Sequence, residues 1–212
     1  MKQQTVLYKS RLAIEAYRIS IDIQNGMKNY TFDSKKVKAW QDLCDNFEQL
    51  SQRQFEAHTK AKTATQTIRS SRKQIHEVYS RHITLSRIAF RDKPEELELL
   101  GLDSKRRMDF TGWLKQAQNY YYFALSYADA LEQYGIFRQE LEDNQEMLRQ
   151  MMELLSLQKQ AQSQEQVISQ QKQQAYEVVR QWYAKFIKLA RLAFEDNPQQ
   201  LEAVGVVVKA KA

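Results

Sequence analysis

The sequence predicts an all-α protein, an elongated helical bundle built from two tandem helical hairpins. Three observations carry this reading. Gln, Lys, Glu, Ala, Leu and Arg dominate the 212 residues, and these are helix formers. Five glycines and two prolines are too few for the turns that a β or α/β chain of this length needs. The chain also repeats itself. RIAFRDKPEELELLGL (87–102) returns as RLAFEDNPQQLEAVGV (191–206), 104 positions later. Between residues 77–102 and 181–206, eleven of 26 positions are identical, from Tyr79/Tyr183 to Gly101/Gly205. Upstream the phase persists at Ala13/Ala117, Tyr17/Tyr121, Tyr30/Tyr134 and Leu50/Leu154. Self-similarity at a fixed period is the mark of a duplication. The expected domains are therefore residues 1–104 and 105–212, two helical repeats packed together as one bundle.

Each repeat opens with a helix, expected over 5–30 and 106–133. NYTFDS (29–34) or QYGIF (133–137) interrupts it, with Asp33 or Ser34 as the N-cap of the next helix in the first repeat. A long helical pattern then covers 35–92 and 138–196. Its apolar phase runs through Val37, Trp40, Cys44 and Phe47, then Ile68, Ile75 and Tyr79. The middles of these helices, 51–74 and 156–174, are polar. Thr63–Gln66 and Ser163–Gln166 have the form of capping boxes, which would break the helix near 58–63 and 158–163. No Gly, Pro or Asn marks a break, so a continuous helix of about 80 Å is the favoured alternative.

The repeated motif closes each half. Pro94 and Pro198 suit the first turn of a new helix, with Asn197 as a cap before the second. Glu95 and Glu96 complement the helix dipole. Leu97 and Leu100, or Leu201 and Val204, give an apolar face, and Gly101 and Gly205 end the helix. The motif predicts a short Pro-to-Gly corner helix that plugs a bundle end.

The second repeat begins with the most aromatic stretch. Trp113, Ala117, Tyr120, Ala124, Tyr127, Leu131 and Tyr134 step by 4 and 3 along one helical face. Their counterparts, Lys9, Ala13, Ala16, Ser20, Ile23, Met27 and Tyr30, are mostly smaller. The two opening helices are therefore expected to pack on each other, ring against Ala or Ser. Tyr121 and Tyr122 lie off the stripe and are the candidates for an exposed contact surface.

Net charge is +6, with 18 basic and 13 acidic residues in 1–104 against 14 and 13 in 105–212. The basic excess centres on residues 57–76, AHTKAKTATQTIRSSRKQIH, which contain no acid. His58, Lys62, Thr65, Arg69, Arg72, Lys73 and His76 fall on one face of a helix. Lys62, Arg69, Arg72 and Lys73 are the candidate residues for an anionic partner, because a stripe of cations can track phosphates. Interleaved aromatics for base stacking are missing.

Catalytic and metal patterns are not found. A di-metal bundle needs Glu-x-x-His pairs, and no such pair occurs. His76-Glu77 is followed by His82, six residues from His76 where a zincin needs four. The lone Cys44, on one helical face with Trp40 and Phe47, reads as a small buried hydrophobe. It excludes an intrachain disulfide and suits a reducing, cytoplasmic compartment. No signal peptide is recognised in MKQQTVLYKSRLAIEAYR, and no apolar run is long enough for a membrane span. The expected function is a non-catalytic scaffold or interaction module without a cofactor. Its expected partner is another protein or itself. Nucleic-acid binding through residues 58–76 is the alternative.

Overall fold

The computed structural model describes residues 3–206, and every regular element there is helical. The order is α1 (Gln3–Ile19), α2 (Ile21–Lys28), α3 (Ser34–Ala89), α4 (Pro94–Leu99), α5 (Phe110–Ala124), a 3-10 turn (Leu125–Tyr127), α6 (Ala128–Glu132), α7 (Arg138–Ala193) and α8 (Gln199–Ala203). No helix among the described residues is long and apolar enough to cross a membrane.

The two long helices, α3 and α7, have 56 residues each and are unbroken. Continuity wins because the polar middles lack helix breakers and carry little that competes with the helix. Thr65 and Thr67 donate to the carbonyls of Ala61 and Thr63, inside the helix, instead of capping a new one. Asp33 is the N-cap of α3, its carboxylate accepting from the Lys36 amide at 2.9 Å.

The opening segments are each interrupted. Ser20 ends α1 and caps α2, its hydroxyl accepting from the Ile23 amide at 3.3 Å. In the second half the interruption falls at the 3-10 turn, which comes after Ala124, 104 positions beyond Ser20. That turn shifts the helical phase. Trp113, Ala117, Tyr120, Ala124 and Leu131 are buried, whereas Tyr134 is 40 % exposed.

Both corner helices end as expected. Gly101 and Gly205 have φ of +66° and +81°. The Leu102 amide donates to the Leu97 carbonyl at 2.8 Å, and the Val206 amide to Leu201 at 2.9 Å. These are the long closing bonds of a Schellman turn. Pro94 takes the first helical position of α4. Asn197 departs from expectation. It makes no side-chain cap, Pro198 sits at the cap position, and α8 starts at Gln199.

The chain forms two compact units, residues 1–58 with 163–212, and residues 59–162. Their boundaries are not those of the sequence halves. Each unit combines the opening segment of one half with the end of the other half's long helix, because α3 and α7 run antiparallel and each serves both units. In the first unit, Phe47 meets Tyr176 (6.2 Å between centroids) and Trp40 meets Tyr183 (6.4 Å). Phe32, Trp40 and Phe186 form its aromatic centre, with Phe186 5.2 Å from each of the other two. Ala13, Ile14, Tyr17, Ile23 and Met27 close it from α1 and α2, and Leu201 and Val204 from the α8 corner.

In the second unit the rings of α5 pack on the last part of α3. Tyr120 lies 5.5 Å from Tyr79, and its hydroxyl is 2.8 Å from Ser86 Oγ. Leu141, Leu148 and Met151 of α7 and Leu100 at the end of α4 complete the core. The expected packing of α5 on α1 is thereby corrected. The small residues of α1 and the rings of α5 belong to different cores, each facing the long helices of its own unit.

Candidate functional site

The basic face of α3 separates into two groups. Lys62, Arg69 and Lys73 are exposed, and none pairs with a carboxylate among the described residues. Arg72 is already engaged. Its guanidinium lies 5.3 Å from the Phe110 ring centre and 5.2 Å from that of Trp113, and donates to the Met108 carbonyl at 3.1 Å. It clips the start of α5 onto α3 through cation–π and hydrogen-bond contacts. Arg106 acts similarly, over the Tyr79 ring at 5.5 Å and on Ser80 Oγ at 2.5 Å. Between them, His76 is pushed below its ordinary pKa by burial and then by Arg106 and Arg72. His58 falls in the other unit, 3.1 Å from Glu165.

The tyrosine pair also separates. Tyr122 is 66 % exposed, as expected, but Tyr121 has no exposed surface. Both Tyr120 and Tyr121 meet Tyr79 of α3, and Tyr121 also meets His82, so the buried face of α5 is wide enough to take the two rings together. Tyr121 is therefore a core residue and not a surface contact. Burial and then the neighbouring Tyr120 and Tyr79 raise its pKa. Its hydroxyl is 3.4 Å from Nδ1 of His82, which is itself fully buried, and His82 Nε2 is 3.5 Å from Glu140 Oε2. Among the described residues no three His, Cys, Asp or Glu are grouped for a metal ion. Cys44 is buried, and its thiol is pushed up to about 11 by that burial.

A groove of about 1280 Å³ lies beside α5 and the first turns of α7 in the second unit. Lys115, Asn119 and Tyr122 line one wall, and Gln145, Arg149 and Met152 the other. The first unit has two smaller clefts that share Arg18 and Gln41, one of about 440 Å³ beside Tyr17, Gln24 and Val37 and one of about 340 Å³ beside α1 and α3. All seven residues lining the 340 Å³ cleft have their counterparts, 104 positions on, in the large groove.

The two units also fasten their opening helices differently. In the first unit Arg11 reaches from α1 to α3, with Nη2 2.5 Å from Asp45 and 2.8 Å from Glu48. The corresponding residues of the second unit are Lys115, Arg149 and Met152. The two basic residues cannot bridge the helices. Arg149 turns along its own helix, to Glu146 at 2.6 Å and to Glu153. The Arg149 hydrogen bond, helped by Gln150, holds Glu146 down to about 2. Lys115 is exposed and pairs with no carboxylate among the described residues. Two exposed positions change character as well. Arg18 gives way to Tyr122, and Glu48 to Met152, which is 45 % exposed.

Reading the sequence for motifs missed Lys115, Arg149 and Met152. Each looks like an ordinary surface residue. The signal lay in comparing the halves for charge, position by position: 11 with 115, 45 with 149, 48 with 152. Compared with protein-family models, curated proteins and solved structures, the chain matches none.

Proposed function

We propose that this protein is a non-catalytic interaction module, two tandem copies of a helical hairpin of about 104 residues, that binds another protein through the groove beside α5 and α7. The observation that carries this reading is the missing bridge. Where one unit fastens its opening helix with Arg11, Asp45 and Glu48, the other keeps Lys115 unpaired and places Tyr122 and Met152 outward. Tyr and Met are enriched in protein interfaces, and an open groove between helices is a common seat for a partner helix. The duplicated architecture is supported by the equal lengths of α3 and α7, the paired Schellman ends and the matched linings of the two concavities. A reducing, cytoplasmic setting suits the single buried Cys44. A photoreactive amino acid placed at Tyr122 should crosslink a partner in cells, and the same probe at Arg18 should not. Equal labelling at both positions, or none at Tyr122, rejects the reading.

A second reading rests on the exposed, unpaired Lys62, Arg69 and Lys73, which could track a nucleic-acid backbone. Mixed-sequence DNA and RNA, monitored by fluorescence anisotropy, should then bind with a steep salt dependence. Changing Lys62, Arg69 and Lys73 to Gln should abolish that binding. Absence of binding at low salt removes this reading.

A further inference from the structure

The basic face of α3 continues off the helix, onto the loop that precedes α5. Gln116 of α5 fixes this loop, accepting from the Arg107 amide at 2.7 Å and donating to the Lys105 carbonyl at 3.1 Å. Arg106, between those two residues, is set against α3, over the Tyr79 ring at 5.5 Å and on Ser80 Oγ at 2.5 Å. It remains exposed, has no carboxylate partner among the described residues, and Ser80 takes only part of its donor set. His76 feels both Arg106 and Arg72, which lower its pKa after burial does, so helix and loop cations share one field. The chain's own repeat supplies the contrast. The positions of Lys62, Arg69 and Lys73 carry Gln166, Gln173 and Glu177 in the other half. There Arg180, in the place of His76, is paired with Glu177 at 2.8 Å. Segments 57–77 and 103–109 together hold eight Lys or Arg against three acids, Glu77, Asp103 and Asp109. Asp109 is the cap of α5, accepting from the Gly112 amide at 2.7 Å.

The composition of this face selects among anionic partners. From Lys62 to Gln74 its exposed side chains are all Thr, Gln, Ser, Lys or Arg, and the loop adds one exposed apolar residue, Met108. A protein interface has an apolar centre, and a membrane-bound helix inserts an apolar face. Nucleic-acid interfaces are polar and positively charged. A single strand wants exposed rings on which to stack. Tyr79 and Trp113 are buried, and the Arg72 guanidinium lies over Phe110.

We propose that the second unit binds the phosphate backbone of a double-stranded nucleic acid, with Arg106 of the loop joining Lys62, Arg69 and Lys73 of α3. This rests on the second reading above and specifies its ligand and its further contact. The run from Lys62 to Lys73 spans about 16 Å of helix, about half a turn of a duplex. With one phosphate for each of these side chains, the slope of log K against log salt is about −3.6, a loss of roughly a hundredfold between about 50 and 200 mM.

The test uses the full chain and fluorescence anisotropy with a labelled, mixed-sequence duplex of about 20 base pairs, as DNA and as RNA, and with the corresponding single strands. A duplex should bind about tenfold more tightly than its own single strands. Arg106→Gln should flatten the salt slope by about one unit, and Arg106→Lys should keep it. Lys73→Gln, which breaks no contact within the fold, should flatten it by the same amount. Lys188→Gln, at an exposed lysine of the first unit, should leave the slope unchanged. Single strands that bind as tightly as the duplex refute the double strand and leave the nucleic-acid reading standing. If Arg106→Gln leaves the slope unchanged, or Lys188→Gln flattens it equally, the joint surface of loop and helix is refuted. If no duplex binds at low salt, both are refuted, and co-sedimentation with phosphatidylserine vesicles in its place assigns the face to a membrane.

Discussion

His82→Phe should remove part of the acid sensitivity of the fold. His82 has no exposed surface, and Phe186 occupies the corresponding position of the other unit. Burial pushes its pKa below the ordinary histidine value. Glu140 pulls it back and Arg81 lowers it again, for a net depression. In the unfolded chain the group returns to about 6.5. The folded state thus binds fewer protons wherever the pH lies between the two values. Stability is unaffected well above 6.5 and falls as the pH drops through that value toward the folded pKa. One proton contributes at most about 1.4 kcal/mol per pH unit, and a chain of this length loses about 2–4 °C in Tm per kcal/mol. Melts at pH 7.5, 6.5 and 5.5 should therefore descend by up to a few degrees per unit in the wild type. His76, also depressed, adds in the same direction and remains in the variant. Glu140 and Glu146 are depressed carboxyls that act only at lower pH. His82→Phe should flatten the descent without eliminating it. Parallel pH profiles for the two proteins, or a wild type that gains stability on acidification, would refute the reasoning.

Packing sets three further outcomes. A Cβ on Gly26 would lie 2.6 Å from Cε1 of Phe194, a buried ring, so Gly26→Ala should cost about 1–3 kcal/mol in a denaturant titration, as overpacking does. Arg72→Met should cost about 1–2 kcal/mol through the lost ring and carbonyl contacts, whereas Lys62→Gln, Arg69→Gln and Lys73→Gln should each stay within about 0.5 kcal/mol. Gly101→Ala forces a Cβ into φ of +66° and should cost about 1–2 kcal/mol, measured by the same titration.

Helices and corners were legible because each depends on local signals, whereas the continuity of α3 and α7 stood open between missing breakers and two capping-box patterns until the structure showed both helices unbroken. Asp33 caps, Pro94 starts, Gly101 ends, and the middles lack breakers. The partition into units was not legible, since it depends on which segments meet across the antiparallel long helices. Repetition along the chain suggests halves, but the chain's contacts group the start of each half with the end of the other. Tyr121 was misplaced for a related reason. A single seven-position stripe describes a narrow buried face, whereas Trp113, Leu114, Ala117, Tyr120, Tyr121 and Ala124 of α5 make a wide one. Arg72 was legible as a cation but not as a clip, because Phe110 and Trp113 reach it from another helix.

The size differences between the halves acquire a different meaning in the structure. Large rings opposite small residues suggested that α1 and α5 fill each other's gaps. The exchange instead occurs inside each unit. The first unit takes most of its core rings from outside its opening helices, Phe32, Trp40, Phe47 and Phe186, while α1 adds Tyr17 beside the small Ala13 and the partly buried Ala16. In the second unit Trp40 corresponds to Asn144 and Phe186 to His82, both buried, and the bulk moves to Trp113 and Tyr120 on α5, where the first half has Lys9 and Ala16. Total volume within a core is the quantity that packing holds fixed, so a loss on one helix must be met on a neighbour. Moving the bulk onto α5 also removes the need for an ionic clasp there. Its rings already anchor that helix, through Tyr120 on Ser86 and through Trp113 beneath Arg72. The positions that correspond to Arg11, Asp45 and Glu48 of the first unit carry Lys115, Arg149 and Met152 in the second, without a bridge between the helices.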